Sequence, residues 1–399
     1  MKIAILTSGI LPVPAVKGGA VENHIDFYLK ANDRLGRHDM TVYSIANEAT
    51  KGHPALQSRV NHYVYIEGKS LWARIRKHLG RWVHGEGYYH YTIEYFFRQA
   101  WRRARREHYD MIVLDNRPGY AASMEVPEGT KLVLYLHNDL LNSETRDAQT
   151  IYRKADRILT VSDYIAGRVR TIDPHDRKCI AVLNGIDRKA FAPGTDDDRR
   201  EGRRKMGFAD EDFVMVFSGR MAKEKGIGEL IEAMGALADR PDIKLLVVGS
   251  PFYGDTADED DFVRELKRKA QAVEGRIRFT GFVGYAQMPA YLRMADIAVV
   301  PSLWDDPCPN TVLEAQATGL PLITTHRGGI PEEVTEEGAV MLDTDEHFTE
   351  RLTEAIVALH DDPERRRRMA TAQLQHAAYY TTERYTEDFF RAIEKPFTD

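Results

Sequence analysis

Only two cysteines, Cys179 and Cys308, occur in the 399 residues. That is too few for a disulfide framework or a structural zinc site, and a reducing compartment is the simplest setting. Long apolar runs are also missing: none approaches the ~18 residues that a bilayer-spanning helix needs. The opening MKIAILTSGILPVPAV pairs one lysine with an apolar stretch, as a secretory signal does. Pro12 and Pro14 interrupt it and no small-x-small cleavage site follows, so a strand entering a loop is the better reading. No short repeat period is visible. Disorder is excluded by the 43% hydrophobic and 10% aromatic content with strong periodic segments. The chain is too long for one ordinary core, so two domains are expected in a cytoplasmic protein.

The net charge of -6 conceals two unlike halves. Residues 1–190 carry 29 Lys and Arg against 21 Asp and Glu, whereas the remainder carries 26 against 40. Such asymmetry indicates that the halves meet different partners. The excess is concentrated in residues 69–108, with ten basic residues and three acids. Within this stretch Leu71, Ile75, Leu79 and Trp82 recur at helical spacing, and so do Ile93, Phe96, Phe97, Ala100, Trp101 and Ala104. Basic amphipathic helices with Trp on the apolar face are the pattern of an interfacial membrane segment. The expectation is therefore peripheral attachment to the inner face of the membrane and no nucleic-acid partner. The alternative is that both stripes pack on the domain core beneath a solvated arginine face; the second resembles such a covering helix, and lipid docking is expected of the first.

Short β-rich runs alternate with helical stretches throughout. KIAIL (2–6), MTVYSI (40–45), MIVL (111–114), KLVLYL (131–136) and RILTV (157–161) read as buried strands of a parallel sheet. FVMVFSG (213–219), KLLVVG (244–249), IRFTG (277–281), IAVVPS (297–302), PLITT (321–325) and AVML (339–342) repeat the scheme. Asn184-Gly185, Pro193-Gly194 and the charge run after Asp196 mark the join. The expected architecture is α/β, two doubly wound Rossmann-like domains facing across a cleft, over 1–190 and 191–375. A tail at 376–399, rich in Tyr and Phe, completes the chain.

The densest cluster of chemistry is Asp306-Pro-Cys-Pro-Asn-Thr-Val-Leu-Glu314, between a strand and a helix. Asn310 suits an N-cap, and the helix start offers N–H groups and a positive dipole end to an anion. Pro307 and Pro309 lack an N–H, which leaves Cys308, Asn310 and Thr311 as backbone donors. Glu314 lies one turn on, on the same face as Asn310 and Thr311, where a carboxylate can accept both hydroxyls of a ribose. Asp306 can accept sugar hydroxyls. The bland alternative is a helix-dipole glutamate and a solvated loop acid. Arg220 and Lys225 lie five apart in the loop after 213–219 and can meet on one diphosphate, although a solvated turn also fits. Gly226-Ile-Gly228 is no dinucleotide fingerprint, because it stands seven residues after the strand and lacks a third glycine. Gly18 and Gly19 precede a helix and permit close approach of a phosphate or sugar, with Glu22 as an ordinary first-turn acid. His137 ends a strand at the carboxyl edge, where α/β proteins bind ligands. Asp343-Thr344-Asp345 looks like a metal-binding DxD, but helix capping explains it, and no metal is expected.

Taken in order, GGAVENH (18–24), LNGIDRKAFAP (183–193), SGRMAKEKG (218–226) and PSLWDDPCPNTVLEAQATGLPLITTHRGGIPEEV (301–334) resemble the family 4 retaining glycosyltransferases of the GT-B fold. The resemblance spans nearly the whole chain and is strongest over 180–335. It implies transfer of a sugar from a nucleotide-sugar donor, which is substrate rather than cofactor, to a glycan or lipid-linked glycan. It places Arg220 and Lys225 on the donor diphosphate, Glu314 on the ribose, and the 307–311 backbone on sugar and phosphate. Gly18 and Gly19 match the loop that approaches the donor, and His137 the histidine beside the transferred sugar. The resemblance also implies a C-terminal helix that returns to the first domain. The family's first glutamate is Asp306 here, which loosens any inference about the donor sugar. A nucleotide-sugar epimerase of the same fold and a non-catalytic nucleotide-sugar or glycan-binding protein are the alternatives.

Overall fold

A computed structural model describes residues 1–68, 91–250, 261–271, 273 and 275–397. The chain forms two compact units, Met1–Leu183 with Tyr385–Asp399, and Asn184–Arg384. In the first unit the strands are β1 (Lys2–Leu6), β2 (Asp39–Ile45), β3 (Asn61–Ile66), β4 (Met111–Asp115), β5 (Lys131–Leu136), β6 (Arg157–Thr160) and β7 (Cys179–Ala181). They form one sheet in the order β3-β2-β1-β4-β5-β6-β7. All neighbours are parallel, with Ile3 opposite Met40 on one side and Met111 on the other. Helices α1 (Ala20–Leu35), α2 (Tyr91–Ala104), α3 (Ala148–Lys154) and α4 (Asp163–Arg170) complete the first pass of this unit.

The second unit carries β8 (Phe213–Ser218), β9 (Ile243–Val248), β10 (Ile277–Phe279), β11 (Ile297–Val299), β12 (Leu322–Thr325) and β13 (Ala339–Leu342). Their order is β10-β9-β8-β11-β12-β13, again parallel. Its helices are α5 (Asp196–Met206), α6 (Ile227–Ala236), α7 (Asp261–Gln271), α8 (Met288–Leu292), α9 (Asn310–Thr318), α10 (Ile330–Glu333), α11 (Phe348–Asp361) and α12 (Pro363–Ala377). Met215, Phe217, Leu245, Val247, Ile297 and Ile323 from the strands meet Ile227, Leu230, Met234, Leu352 and Ile356 from the helices in one core. Burying strands on both faces is what makes them read as unbroken apolar runs.

The second unit begins at Asn184, seven residues before the expected start at 191. The reason lies in Asn184, whose amide donates to the Cys308 carbonyl (3.2 Å) and to Asn310 Oδ1 (3.1 Å). The return to the first unit begins at Tyr385 rather than 376, within α13 (Thr382–Glu394). Tyr385, Phe389 and Phe390 are buried there, and Phe389 stacks on Tyr28 of α1 at 4.1 Å.

The two amphipathic stripes part company. The first, at 71–83, lies outside the described residues. The second is α2, and its Phe96, Phe97, Ala100, Trp101 and Ala104 are buried in the first unit, with Phe97 stacked on Tyr120. This is the core-packing reading of that stripe, with the apolar face already partnered. Arg98, Arg102, Arg103, Arg105 and Arg106 stay exposed on the other side.

Candidate functional site

In an open parallel sheet, ligands bind beyond the carboxyl ends of the strands where the order reverses. In the second unit that point lies between β8 and β11. The loop after β8 carries Arg220 and Lys225, and the loop after β11 carries residues 301–309. The two loops are locked together. Gly226 sits at φ 71, and a Cβ there would fall 1.8 Å from the Pro301 carbonyl oxygen, so only glycine permits the approach. The Leu303 N–H donates to the Glu224 carbonyl at 2.9 Å. Across this junction Lys225 pairs with Asp306, with their side chains 23% and 8% exposed. The Lys225 ammonium also lies 5.3 Å from the Trp304 ring centre. Arg220 is placed differently, half-exposed and paired with Glu224 at 3.0 Å.

The helix start departs from the expected cap. Pro309 occupies the N-cap position of α9 and makes no side-chain cap bond, while Asn310 is the first helical residue. The Asn310 side chain is instead held by Asn184. The consequence for an anion is favourable, because the N–H groups of Asn310 and Thr311 have no acceptor within the helix and no capping side chain covers them. Cys308 turns its thiol inward to Glu333 Oε1 at 2.9 Å, so only its backbone faces the loop. Burial pushes the thiol up, and Glu333 adds to that shift. Glu314 is 5% exposed and makes no side-chain hydrogen bond or ion pair among the described residues. Burial alone pushes its carboxyl up to about 7. Such a group is available to a pair of hydroxyls that would restore the bonds it lost with water.

The first unit has its own switch point, between β1 and β4. Gly18 and Gly19 lead into α1 with φ of 71 and 105. A Cβ on Gly19 would lie 2.2 Å from Glu22 Oε2, which places the Glu22 carboxyl directly beneath this backbone. Glu22 is thus more than a first-turn acid: burial, above all, pushes it up to about 8, and the Ser8 hydroxyl lies 3.5 Å from Oε1. His137 follows β5, and its Nε2 is 3.3 Å from Oδ1 of Asp115, the last residue of β4.

Asp343 and Asp345 are engaged locally. Asp343 meets His326 at 3.0 Å, and Asp345 accepts from the His347 N–H and from Arg351. Among the described residues no group of three His, Cys, Asp or Glu is arranged to hold a metal ion. Sequence reasoning missed Asp115, Glu333, Asn184 and Trp304. For Asp115 the available signal was an acid closing an otherwise apolar strand run, MIVLD.

Among the described residues no helix is long and apolar enough to cross a membrane. Residues 198–376 match the model for glycosyl transferases group 1, and residues 21–190 match that for glycosyltransferase family 4. The spore coat protein SA of Bacillus subtilis (strain 168) is 26% identical, covering 99% of this chain and all of that protein. A GDP-mannose-dependent monoacylated alpha-(1-6)-phosphatidylinositol monomannoside mannosyltransferase of Corynebacterium glutamicum is 31% identical over 59% of this chain and 61% of its own length. Anabaena Alr3699/HepE in complex with UDP-glucose superimposes with a TM-score of 0.77 at 19% identity, over 99% of this chain and 100% of that one. WaaG, a glycosyltransferase involved in lipopolysaccharide biosynthesis, gives a TM-score of 0.70 at 15% identity, covering 99% and 100%. With two doubly wound parallel-sheet units and a family match on each, the chain belongs to the family 4 glycosyltransferases of the GT-B fold.

Proposed function

We propose that this glycosyltransferase is a retaining, metal-independent enzyme that moves a sugar from a UDP-linked donor to a glycan or lipid-linked glycan of the cell surface. The observation that carries the reading is the buried Glu314 carboxyl, left without a side-chain bond among the described residues one turn below an uncapped helix start. A nucleoside diphosphate matches that arrangement, with ribose hydroxyls on Glu314 and phosphate oxygens on the Asn310 and Thr311 N–H groups. Arg220 and Lys225 supply the cations. As the bond from the sugar to the phosphate breaks, negative charge grows on the diphosphate, and fixed donors stabilise it without reorganising. Asp306 orients the sugar and, through its pairing, fixes Lys225. His137, Gly18 and Gly19, at the first unit's own switch point, are carried as sugar-site residues on the resemblance given above. Support for UDP comes from Alr3699/HepE, whose structures contain UDP and UDP-glucose. The exposed arginines of α2 support electrostatic contact with an anionic membrane surface, where a lipid-linked acceptor would be presented.

Incubation with a panel of UDP-, GDP- and ADP-sugars tests the reading. Slow hydrolysis of one UDP-sugar, undiminished by EDTA, is the expected result. Interconversion of two sugars would favour an epimerase, and silence on every donor would leave a binding protein.

A further inference from the structure

Asp115 is fully buried, and among the described residues neither of its carboxylate oxygens has a hydrogen-bond partner. His137 Nε2 is sealed in the same way, 3.3 Å from Asp115 Oδ1 but out of line for a hydrogen bond, with its side chain 6% exposed. The pair sits at the carboxyl ends of β4 and β5, beside the switch point of the first sheet. The Tyr135 ring centre is 4.2 Å from that of the imidazole. Resting on the reading of His137 as a residue of the sugar site, we propose that Asp115 is its positioning residue. It takes the proton-bearing Nε2 and leaves Nδ1 bare, so that His137 meets a substrate hydroxyl as a hydrogen-bond acceptor.

Were the proton on Nδ1 alone, the Nε2 lone pair would face a carboxylate oxygen at 3.3 Å with no water between to relieve the repulsion. A proton on Nε2 turns the same contact into an N–H aimed toward an oxygen, and ligand binding needs only a small rotation to align it. The tautomer of a histidine is set by the partner of its other nitrogen. The groups facing Asp115 from the neighbouring elements are Glu22 and Tyr28 of α1 and Tyr385 of α13. Burial pushes both tyrosines up, and Glu22 with them, so all three are mainly neutral near pH 7. Among the described residues Asp115 is the carboxyl group that lies against the imidazole, at 3.3 Å.

Long-range proton–nitrogen correlation spectra of the full chain at pH 7.5 read the tautomer directly, with His137 assigned by the signal lost in His137→Gln. The expected result is a protonated Nε2 and a bare Nδ1 in the wild type. Asp115→Asn should shift population to the Nδ1–H tautomer, because an amide N–H can donate to Nε2. It should also lower kcat for donor hydrolysis at least tenfold, with the donor KM changed less than threefold. A proton on Nδ1 in the wild type, alone or with one on Nε2, overturns the proposal. So does an Asp115→Asn enzyme with the shifted tautomer and a kcat within twofold of wild type. If no donor is turned over by the wild type, the transferase reading fails while the spectra still decide what Asp115 does to His137.

Discussion

Glu314 carries a conflict between folding and binding that can be measured. Its carboxyl is raised from an ordinary 4.5 to about 7 by burial. Between those two values the folded state keeps a proton that the unfolded state has released, so stability falls as pH rises through that window. Above pH 7 the ionised, buried group costs about 3 kcal/mol. Glu314→Gln should therefore unfold at a higher urea concentration than wild type at pH 8 and nearly together with it at pH 5. Calorimetry should show that the same variant binds nucleoside diphosphate at least tenfold more weakly. The two cations separate in a way that spacing alone did not reveal. Arg220 pairs with Glu224 in a half-exposed contact, worth at most about 1 kcal/mol. Arg220→Ala should cut kcat about a hundredfold and leave the unfolding midpoint almost unmoved. Lys225 faces a buried Asp306, and Lys225→Met leaves that charge unpaired at a cost of about 3–5 kcal/mol. Adding Asp306→Asn should restore most of the stability but none of the activity. A double variant as unstable as Lys225→Met would mean that the pair is not what holds these loops.

At the scale of elements, the strands of the second unit were legible because β8, β9, β11 and β12 carry long apolar runs and the turn residues between them set off the edge strands β10 and β13. Two strands of the first unit were not. β3 reads NHYVYI, with Asn61 buried to bond the Leu29 carbonyl, and its polar residues mask the strand. β7 is an edge strand of three residues, all only half-buried, so no apolar run marks it. The cap of α9 was misread for another reason. Asn310 has the chemistry of an N-cap, but its side chain is claimed by Asn184, a residue 126 positions away that no local pattern reveals. Arg157 makes the same point about charge inside a strand. Within RILTV it looks like a surface residue, yet it is buried and donates to the carbonyls of Ala392, Lys395 and Pro396 at 2.6, 2.8 and 3.0 Å. Its guanidinium also lies 4.1 Å from the Phe397 ring centre. These bonds close the end of α13, whose last carbonyls have no partner within the helix. Charge-assisted hydrogen bonds are worth about 1.5–3 kcal/mol each. Arg157→Met should thus lower the stability of the first unit by at least about 3 kcal/mol in chemical unfolding and speed proteolytic clipping beyond Glu394. Unchanged clipping would show that the stacked aromatics alone secure the helix.

For the whole molecule, the division of charge is as informative as the division of fold. The basic excess of residues 1–190 and the acidic excess of the remainder divide almost where the two units do. In the first unit, α2 shows how the excess is carried. Its aromatic face is spent on the core, and Arg98, Arg102, Arg105 and Arg106 are exposed. A helix so placed has no apolar face left to insert, so on the proposed reading it would bind a membrane by charge alone. Each arginine near an anionic surface contributes about 1 kcal/mol, and the attraction fades over a Debye length of about 8 Å at physiological salt. Co-sedimentation with phosphatidylglycerol vesicles should therefore rise with anionic lipid and fall steeply with salt. Changing Arg98, Arg102, Arg105 and Arg106 to glutamine should remove part of the salt-sensitive binding while leaving donor hydrolysis in solution intact. A matching set at Arg74, Arg76, Lys77 and Arg81 measures what the preceding stripe adds. Binding that survives high salt and is lost when Leu71, Ile75, Leu79 and Trp82 are changed to alanine would assign insertion to residues 71–83. Failure of the wild type to sediment with anionic vesicles at low salt would remove the membrane from the account and leave a soluble acceptor.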